Sequence, residues 1–145
     1  MATTQQPHRW HELFTAADGR NLSIAIEGLY LVNLLALPAI AFAVLVWLWL
    51  RRETLPALAR CHLRQTMSAS LWAFGMLIGF NGLVIWWFGA EVPATWVFVL
   101  LYFLTVHSAL VMFGMLGLAR AMAGDVYRFP VVGLDCEGMA THGRR

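Results

Sequence analysis

The sequence predicts an all-α membrane protein with three transmembrane helices, and three observations carry this prediction. Of its 145 residues, 60% are hydrophobic and only 12% are charged, whereas a soluble globular domain carries about 25% charged residues. Three apolar stretches are long enough to cross the ~30 Å hydrocarbon layer, which takes about 20 helical residues. The ten basic residues are all arginines, and they cluster near the ends of these stretches. The net charge of +2 gives no indication of nucleic-acid binding.

The first element is an arm of residues 1–23, predicted to lie outside the cytoplasm. Its first twenty residues are polar and contain no apolar core of a signal peptide, so the first spanning helix is expected to direct insertion. Apolar side chains recur at helical spacing from His8 to Ala17, which favours a short amphipathic helix on the membrane surface. A disordered arm is the alternative.

Residues 24–134 are predicted to form the transmembrane domain. The first span runs from about Ile24 to Leu50, the second from about Met67 to Phe88, and the third from about Thr95 to Met122. The connection between the second and third spans is so short that they should form an antiparallel hairpin. Pro38 should bend the first span, because proline is a usual cause of helix kinks.

The arginines predict the orientation of the three spans. Eight arginines fall on the side that would hold the first loop and the C-terminus, and two, Arg9 and Arg20, fall on the other side. Because cytoplasmic segments carry the arginine excess, the N-terminus is predicted outside and the C-terminus in the cytoplasm of a bacterial inner membrane. Residues 135–145 are predicted to be a short flexible cytoplasmic tail. Cys61 and Cys136 would then face the cytoplasm as reduced thiols.

Polar residues inside apolar spans are uncommon and therefore informative. Asn33 and Asn81 lie at similar predicted depths, which favours a hydrogen bond between their helices, with a ligand contact as the alternative. Glu27 is expected at the outer edge of the first span, in reach of water. His107 is the one titratable residue near mid-membrane, and either a haem or chlorophyll-type pigment or a neighbouring helix could bind it.

Small residues on two spans predict close helix packing. Gly75 and Gly79 share a face of the second span, and Gly114 and Gly117 lie on the third. Because lipid tails are as apolar as leucine, helix association in a membrane depends on such close approach. These faces are expected to meet each other or a partner protein.

Two segments that flank the hairpin resemble a known family. Pro56–Thr66 reads PALARCHLRQT, and Ala121–Gly133 reads AMAGDVYRFPVVG. The patterns R-x-H-x-x-Q and A-x-x-G-x-x-Y-x-x-P within them resemble small bacterial membrane proteins related to the twenty-kilodalton inner-envelope subunit of the chloroplast import translocon. The resemblance covers about residues 26–134. It implies a fold and a topology, and because the bacterial members are mostly of unassigned function, import or channel activity would be analogy alone.

The same two segments supply the main candidate site at the predicted cytoplasmic face. His62 and Gln65 are three positions apart and therefore share a helix face. Both could donate hydrogen bonds to the carbonyl groups that end the first or third span. A glycine is well placed to end the third helix. The interpretation favoured is a structural clasp between loop and tail, with a site for a partner or a lipid headgroup as the alternative. The candidate residues are His62, Gln65, Gly124, Tyr127, Arg128 and Pro130.

The sequence therefore predicts a non-catalytic accessory or scaffold subunit of a larger membrane assembly. It shows no nucleophile–base set, phosphate loop or paired acid–base carboxylates, so no enzyme activity and no cofactor are expected. Membrane lipids and other membrane subunits are the predicted partners, without nucleic acid. One alternative is a haem- or pigment-binding anchor subunit that uses His107. The other is a small transporter or pore, although no charged or broken-helix site for one is apparent.

Overall fold

The computed structural model describes residues 7–130, 133 and 134, with side chains from Gly19 onward. Every regular element in this part of the chain is a helix. A 3-10 turn at Arg52–Thr54 precedes α3, and a π-helical turn at Gly75–Phe80 separates α3 from α4. The α-helices are α1 (Pro7–Leu35), α2 (Pro38–Leu50), α3 (Ala57–Phe74), α4 (Asn81–Phe88) and α5 (Pro93–Ala123). The predicted surface helix from His8 to Ala17 is the first part of α1, and its side chains lie outside the described ones, as do residues 135–145 of the predicted tail.

Two helices are long and apolar enough to cross a membrane by length and composition. One is the continuous helix Ala57–Phe88, made of α3, the π-helical turn and α4, and the other is α5. They contain the second and third predicted spans. Gly89, with φ 86°, ends α4 in a conformation that suits glycine, and the Trp96 Nε1 atom donates to the Ala90 carbonyl oxygen at 2.8 Å across the turn.

The first predicted span is two helices rather than one, so a third spanning helix is not confirmed. The α1 helix ends at Leu35 and α2 begins at Pro38, which has no backbone N–H and so fits the first position of a helix but not its interior. Ile26 on α1 and Leu45 on α2 are buried in one cluster, because α2 folds back along α1. The 13 residues of α2 extend about 20 Å, which is short of the hydrocarbon thickness.

The α1 helix lies at the centre of the described bundle and packs against α2, α3 and α5. It runs parallel to α3: a Cβ at Gly19 would lie 3.2 Å from the Pro56 side chain, whereas Leu34 packs against Ala73 and Leu77 further along. It runs antiparallel to α5: a Cβ at Gly114 would lie 2.7 Å from Tyr30 Cε1, whereas a Cβ at Gly124, just after α5, would lie 3.7 Å from the Arg20 side chain. Consequently Gly19, the connection from α2 to α3 and the end of α5 all lie at one end of the bundle.

We call this end the arginine end, because every arginine with a described side chain lies there. Arg20, which was predicted on the opposite side from the other six, therefore lies at the same end of the bundle as they do, because the hairpin of α1 and α2 returns to its starting end. The opposite end, which we call the hairpin tip, comprises residues 85–98 and carries Glu91 together with Trp86, Trp87 and Trp96. The arginines of the arginine end are Arg20, Arg51, Arg52, Arg60, Arg64, Arg120 and Arg128.

Candidate functional site

The most unusual polar contact in the described chain joins Glu27 on α1 to His62 on α3. Both side chains are completely buried, and Glu27 Oε1 lies 2.7 Å from His62 Nδ1. The expectation that Glu27 reaches water at the edge of a span is therefore wrong. Glu27 is buried because α1 packs alongside the start of α3, whereas the expectation assumed that α1 crosses from the opposite side.

The hydrogen bonds of His62 define how many protons the pair holds. Its Nε2 atom lies 3.1 Å from the Asp125 backbone oxygen, and a carbonyl oxygen only accepts, so Nε2 carries a hydrogen. The short contact between Nδ1 and Oε1 then requires one more proton, on either the imidazole or the carboxyl group. In both arrangements the pair is neutral overall, which keeps an uncompensated charge out of the bundle.

Two glycines of α5 make room for this part of α1. A Cβ at Gly117 would lie 2.6 Å from Glu27 Oε2, and a Cβ at Gly114 would lie 2.7 Å from Tyr30 Cε1. Glu27 and Tyr30 are three residues apart on one face of α1, and the two glycines are three residues apart on α5. The matched spacing lets the two antiparallel helices approach closely at both levels.

The glycines of the second span were predicted to meet the third span or a partner protein, and the structure excludes the first of these contacts while the second stays a prediction. A Cβ added at Gly75 or at Gly79 would meet no atom within 4 Å. The glycine faces of the two long helices therefore do not meet each other, because the glycines of α5 face α1 instead.

Three buried oxygen atoms around the Glu27–His62 pair have no hydrogen-bond partner among the described residues. They are Glu27 Oε2 and the hydroxyl oxygens of Tyr30 and Tyr127. Burial raises the pKa of the Tyr127 hydroxyl, and the nearby Glu27 carboxylate raises it further. Phe129 packs edge-on against both tyrosine rings, with centroids 5.4 Å from Tyr30 and 5.0 Å from Tyr127. The segment after α5 therefore covers the pair and the unpartnered oxygens beside it.

Gln65 contacts the backbone that follows α5 through both ends of its amide. Its Nε2 donates to the Leu134 carbonyl oxygen, and the Leu134 N–H donates to its Oε1 at 3.2 Å. Because His62 also bonds to Asp125, two side chains one turn apart on α3 hold two points of the segment after α5.

The remaining candidates of the predicted clasp shape that segment locally. Gly124 is in the left-handed conformation with φ 77°, and the Asp125 N–H donates to the Arg120 carbonyl oxygen, which closes α5. Arg128 Nε donates to the Gly133 carbonyl oxygen at 3.3 Å. Pro130 is exposed. Of the predicted set, His62 and Tyr127 thus lie near Glu27, and Gln65 holds Leu134 from the next turn of α3. Arg128 and Pro130 lie at the surface.

Cys61, beside His62, corrects a further expectation. It is disulfide-bonded and 3% exposed, whereas a reduced thiol was expected. Cys136, the other cysteine of the chain, lies outside the described residues.

The polar residues predicted inside the membrane are not brought together. Asn81 Nδ2 donates to the Leu77 carbonyl oxygen of its own helix at 2.7 Å, and Asn33 is half-buried on α1 without a described contact to it. The His107 ring stacks on Phe103, with centroids 5.3 Å apart and planes 9° apart, and its Nδ1 has no described partner. His62 lies at the arginine end, so the two described histidine side chains cannot share one ligand.

Sequence reasoning missed Glu27, Tyr30 and Gly117 as parts of the site. The signal available was a glutamate inside an apolar run with Tyr30 three residues after it. The glycine pair Gly114 and Gly117 has the same three-residue spacing on another helix. Across the described side chains, no group of three or more His, Cys, Asp or Glu residues could hold a metal ion. No family model, no curated protein and no solved structure matches the chain, so the resemblance to the translocon-related proteins stays a prediction.

Proposed function

We propose that the protein is a non-catalytic integral membrane protein of the bacterial inner membrane that serves as an accessory or scaffold subunit. The supporting observation is how little of its apolar surface the chain covers. In the most apolar 18 residues of the two long helices, only 11% and 17% are buried. A core helix of a soluble protein would be mostly buried, and exposed apolar patches of this extent mark contacts with a membrane or a partner.

The arginine end supports an orientation for this membrane protein. Because arginines collect on the cytoplasmic side, we propose that both ends of the described chain face the cytoplasm. The two long helices would cross the membrane, and the hairpin tip would lie on the far side. The α1–α2 hairpin would then enter the membrane and return to the same side. The disulfide at Cys61 favours the opposite orientation, since disulfides persist in oxidising compartments. Seven arginines at one end outweigh a single disulfide, and a labelling experiment tests the two orientations.

The labelling experiment uses single-cysteine variants in a chain with Cys61→Ser and Cys136→Ser. A membrane-impermeant thiol reagent is applied to intact cells. We expect Ala90→Cys at the hairpin tip to react, and Thr3→Cys and Thr54→Cys to stay unlabelled until the cells are opened. Labelling of both Thr3→Cys and Ala90→Cys would restore the three-span topology. Labelling of Thr3→Cys and Thr54→Cys without Ala90→Cys would invert the orientation.

The role as a subunit is tested by co-purification in a mild detergent. A companion membrane protein in fixed stoichiometry is expected with the wild-type chain. The variant Gly79→Leu should lose it, because Gly79 has open space around it and a larger side chain would obstruct a close helix contact without disturbing the protein's own packing. Ile78→Leu, an exposed and conservative neighbour, is the matched control. Recovery of the wild-type chain alone would contradict the proposal.

A second candidate function is proton-coupled transport, and the Glu27–His62 pair favours it. Buried ionisable residues that pair inside a membrane bundle recur in proton relays, and this pair holds one transferable proton beside unpartnered oxygens. Reconstituted protein should then carry a proton flux that the Glu27→Gln variant abolishes and the Glu53→Gln control retains. A flat flux from the wild-type protein removes this candidate.

The cofactor alternative depends on His107 alone. Its unpartnered Nδ1 favours it, and a purified sample without absorbance in the visible region removes it.

A further inference from the structure

The short helix α2 has one covered face and one open face. Ala41 and Leu45 are buried on the covered face. On the open face, exposed side chains recur at helical spacing and end at Arg51, which directly follows the helix. We call this set the outer stripe of α2. It consists of Ile40, Val44 and Trp47, which are 63%, 37% and 51% exposed, together with Arg51.

The Arg51 guanidinium is held in place by a ring and has no carboxylate partner among the described side chains. Its Cζ atom lies over the Trp47 ring, 4.8 Å from the centroid. A guanidinium stacked in this way keeps the N–H donors of its edge available. Arg52 differs, because its Nε lies 3.4 Å from Glu53 Oε1 and its Nη1 donates to the Trp49 carbonyl oxygen at 3.3 Å. Arg51 is therefore the arginine of this pair that is open to an anion from outside.

The charge of the surrounding chain favours an anion at Arg51. Residues 51–64 contain four arginines and one glutamate, and His62 adds no charge because its pair with Glu27 is neutral overall, so the net charge of this segment is +3. Basic segments of this kind at a membrane surface attract anionic lipids. A zwitterionic headgroup would bring a quaternary ammonium group beside its phosphate, and so would add positive charge where arginines already lie. An anionic phospholipid brings the phosphate alone.

The length of α2 matches one leaflet of a membrane. From Leu37, at the fold-back after α1, to Trp47 the chain rises about 15 Å, which is half of the ~30 Å hydrocarbon layer. Tryptophan is enriched at the depth of the headgroups, so Trp47 and Arg51 would lie there and Ile40 would lie beside acyl chains. A soluble anion could pair with Arg51 but would leave the apolar part of the stripe uncovered. A lipid has both an anionic group and a chain.

We propose that the outer stripe of α2 binds one anionic phospholipid, whose phosphate accepts hydrogen bonds from Arg51 and whose acyl chain lies against Val44 and Ile40. This inference rests on the proposed membrane location and goes beyond it, because it assigns a lipid site to one helix and selects the charge of the headgroup. The labelling experiment tests the location separately. Failure of the lipid test would therefore leave the membrane and subunit proposals standing.

The test titrates lipids into the full chain in detergent and counts the bound lipids by native mass spectrometry. The probe is dioleoyl phosphatidylglycerol, and dioleoyl phosphatidylcholine has the same chains with a zwitterionic headgroup. We expect one phosphatidylglycerol to bind about tenfold more tightly than phosphatidylcholine, the change for one hydrogen bond to a charged group. Arg51→Gln should remove this preference and leave phosphatidylcholine binding unchanged. Arg52→Gln, which removes the same charge from the next residue, is the matched control and should retain it.

Further comparisons test the other parts of the site. Trp47→Leu should weaken phosphatidylglycerol binding because Arg51 loses the ring beneath it, whereas Trp72→Leu, which removes a 55% exposed ring from α3, should not. Ile40→Ser should weaken binding of both lipids, and inorganic phosphate should displace neither. The proposal is overturned if the two lipids bind equally, as they would where a partner protein is the true occupant of the stripe. It is also overturned if Arg51→Gln and Arg52→Gln behave alike, or if inorganic phosphate displaces phosphatidylglycerol.

Discussion

The arginine end and the hairpin tip of the molecule are held together in different ways. At the arginine end, α1 lies between α3 and α5, and Glu27, His62 and Gln65 are fully buried in hydrogen bonds that join separate elements. At the hairpin tip, α4 and α5 cover only each other, and Trp86 and Phe98 are 77% and 67% exposed. One end is specified by internal polar contacts, whereas the other depends on whatever surrounds it.

This difference shows that the helices pack closely where glycines face α1 and loosely where they do not. Gly114 and Gly117 face α1 in close contact, while Gly75 and Gly79 face open space. Stability should therefore respond strongly to substitutions at the arginine end and weakly to equivalent substitutions elsewhere.

The largest effect is expected for Glu27→Ala. Removal of one member of a buried ionisable pair leaves the other unpaired and costs about 3–5 kcal/mol. Glu53→Ala is the control, because Glu53 forms exposed ion pairs with Arg52 and Arg60, and such pairs contribute about 0–1 kcal/mol. The measurement is the free energy of unfolding in detergent. Equal losses in the two variants would contradict a structural role for the pair.

A smaller loss is expected for Gly114→Ala. The added Cβ would lie 2.7 Å from the Tyr30 ring and from Leu31, and overpacking of this kind costs about 1–3 kcal/mol. Gly79→Ala adds the same methyl group where nothing lies within 4 Å, and should change stability by less than about 1 kcal/mol. Thermal unfolding of the two variants compares them directly. If Gly79→Ala proves the more damaging, the contrast between the two glycine pairs is wrong.

A local effect is expected for Gln65→Leu. The variant loses both hydrogen bonds to Leu134, a change of about 1–2 kcal/mol confined to the segment after α5. Hydrogen exchange at the Leu134 amide should accelerate by about 5–30-fold. The Gly89 amide, which donates to the Ile85 carbonyl oxygen at the hairpin tip, provides the internal control. Unchanged exchange at Leu134 would show that Gln65 does not hold this segment.

The smallest effect concerns Tyr127 and pH. Burial raises the pKa of its hydroxyl above the ordinary value of 10.0, so the unfolded chain loses this proton at lower pH than the folded chain does. The contribution to stability is complete below pH 10.0 and is lost as pH rises through the higher folded pKa. Wild-type protein should therefore lose stability faster than Tyr127→Phe in alkaline denaturation. Parallel curves would contradict the burial of this hydroxyl.

Much of the fold could be predicted from the sequence because apolar length is a strong signal. The helices Ala57–Phe88 and Pro93–Ala123 correspond to two predicted spans, and a short connection leaves them only an antiparallel arrangement. The stretch Ile24–Leu50 met the same length criterion. It folds back at Pro38, because counting apolar residues does not distinguish a bent crossing helix from a hairpin.

The site was less predictable because it depends on residues far apart in the chain. Glu27, in an apolar stretch, was expected to be exposed to water. It is buried because it pairs with His62, 35 positions away in the chain. That pairing followed from the return of α2, which placed α1 beside α3. The hydrogen bonds of His62 and Gln65 depend in turn on where the segment after α5 lies.

The π-helical turn at Gly75–Phe80 has a consequence for the whole outer half of the molecule. A π turn accommodates an extra residue relative to an α-helix, and each residue of an α-helix rotates the chain by about 100°. The wide turn absorbs that residue, so α4 keeps the alignment that a regular helix one residue shorter would give it. If the same residues were wound as a regular α-helix, everything beyond the turn would swing round the axis by about that angle, and Asn81 would leave its place beside α5. The length of this turn therefore sets the angular alignment of α4 on α5.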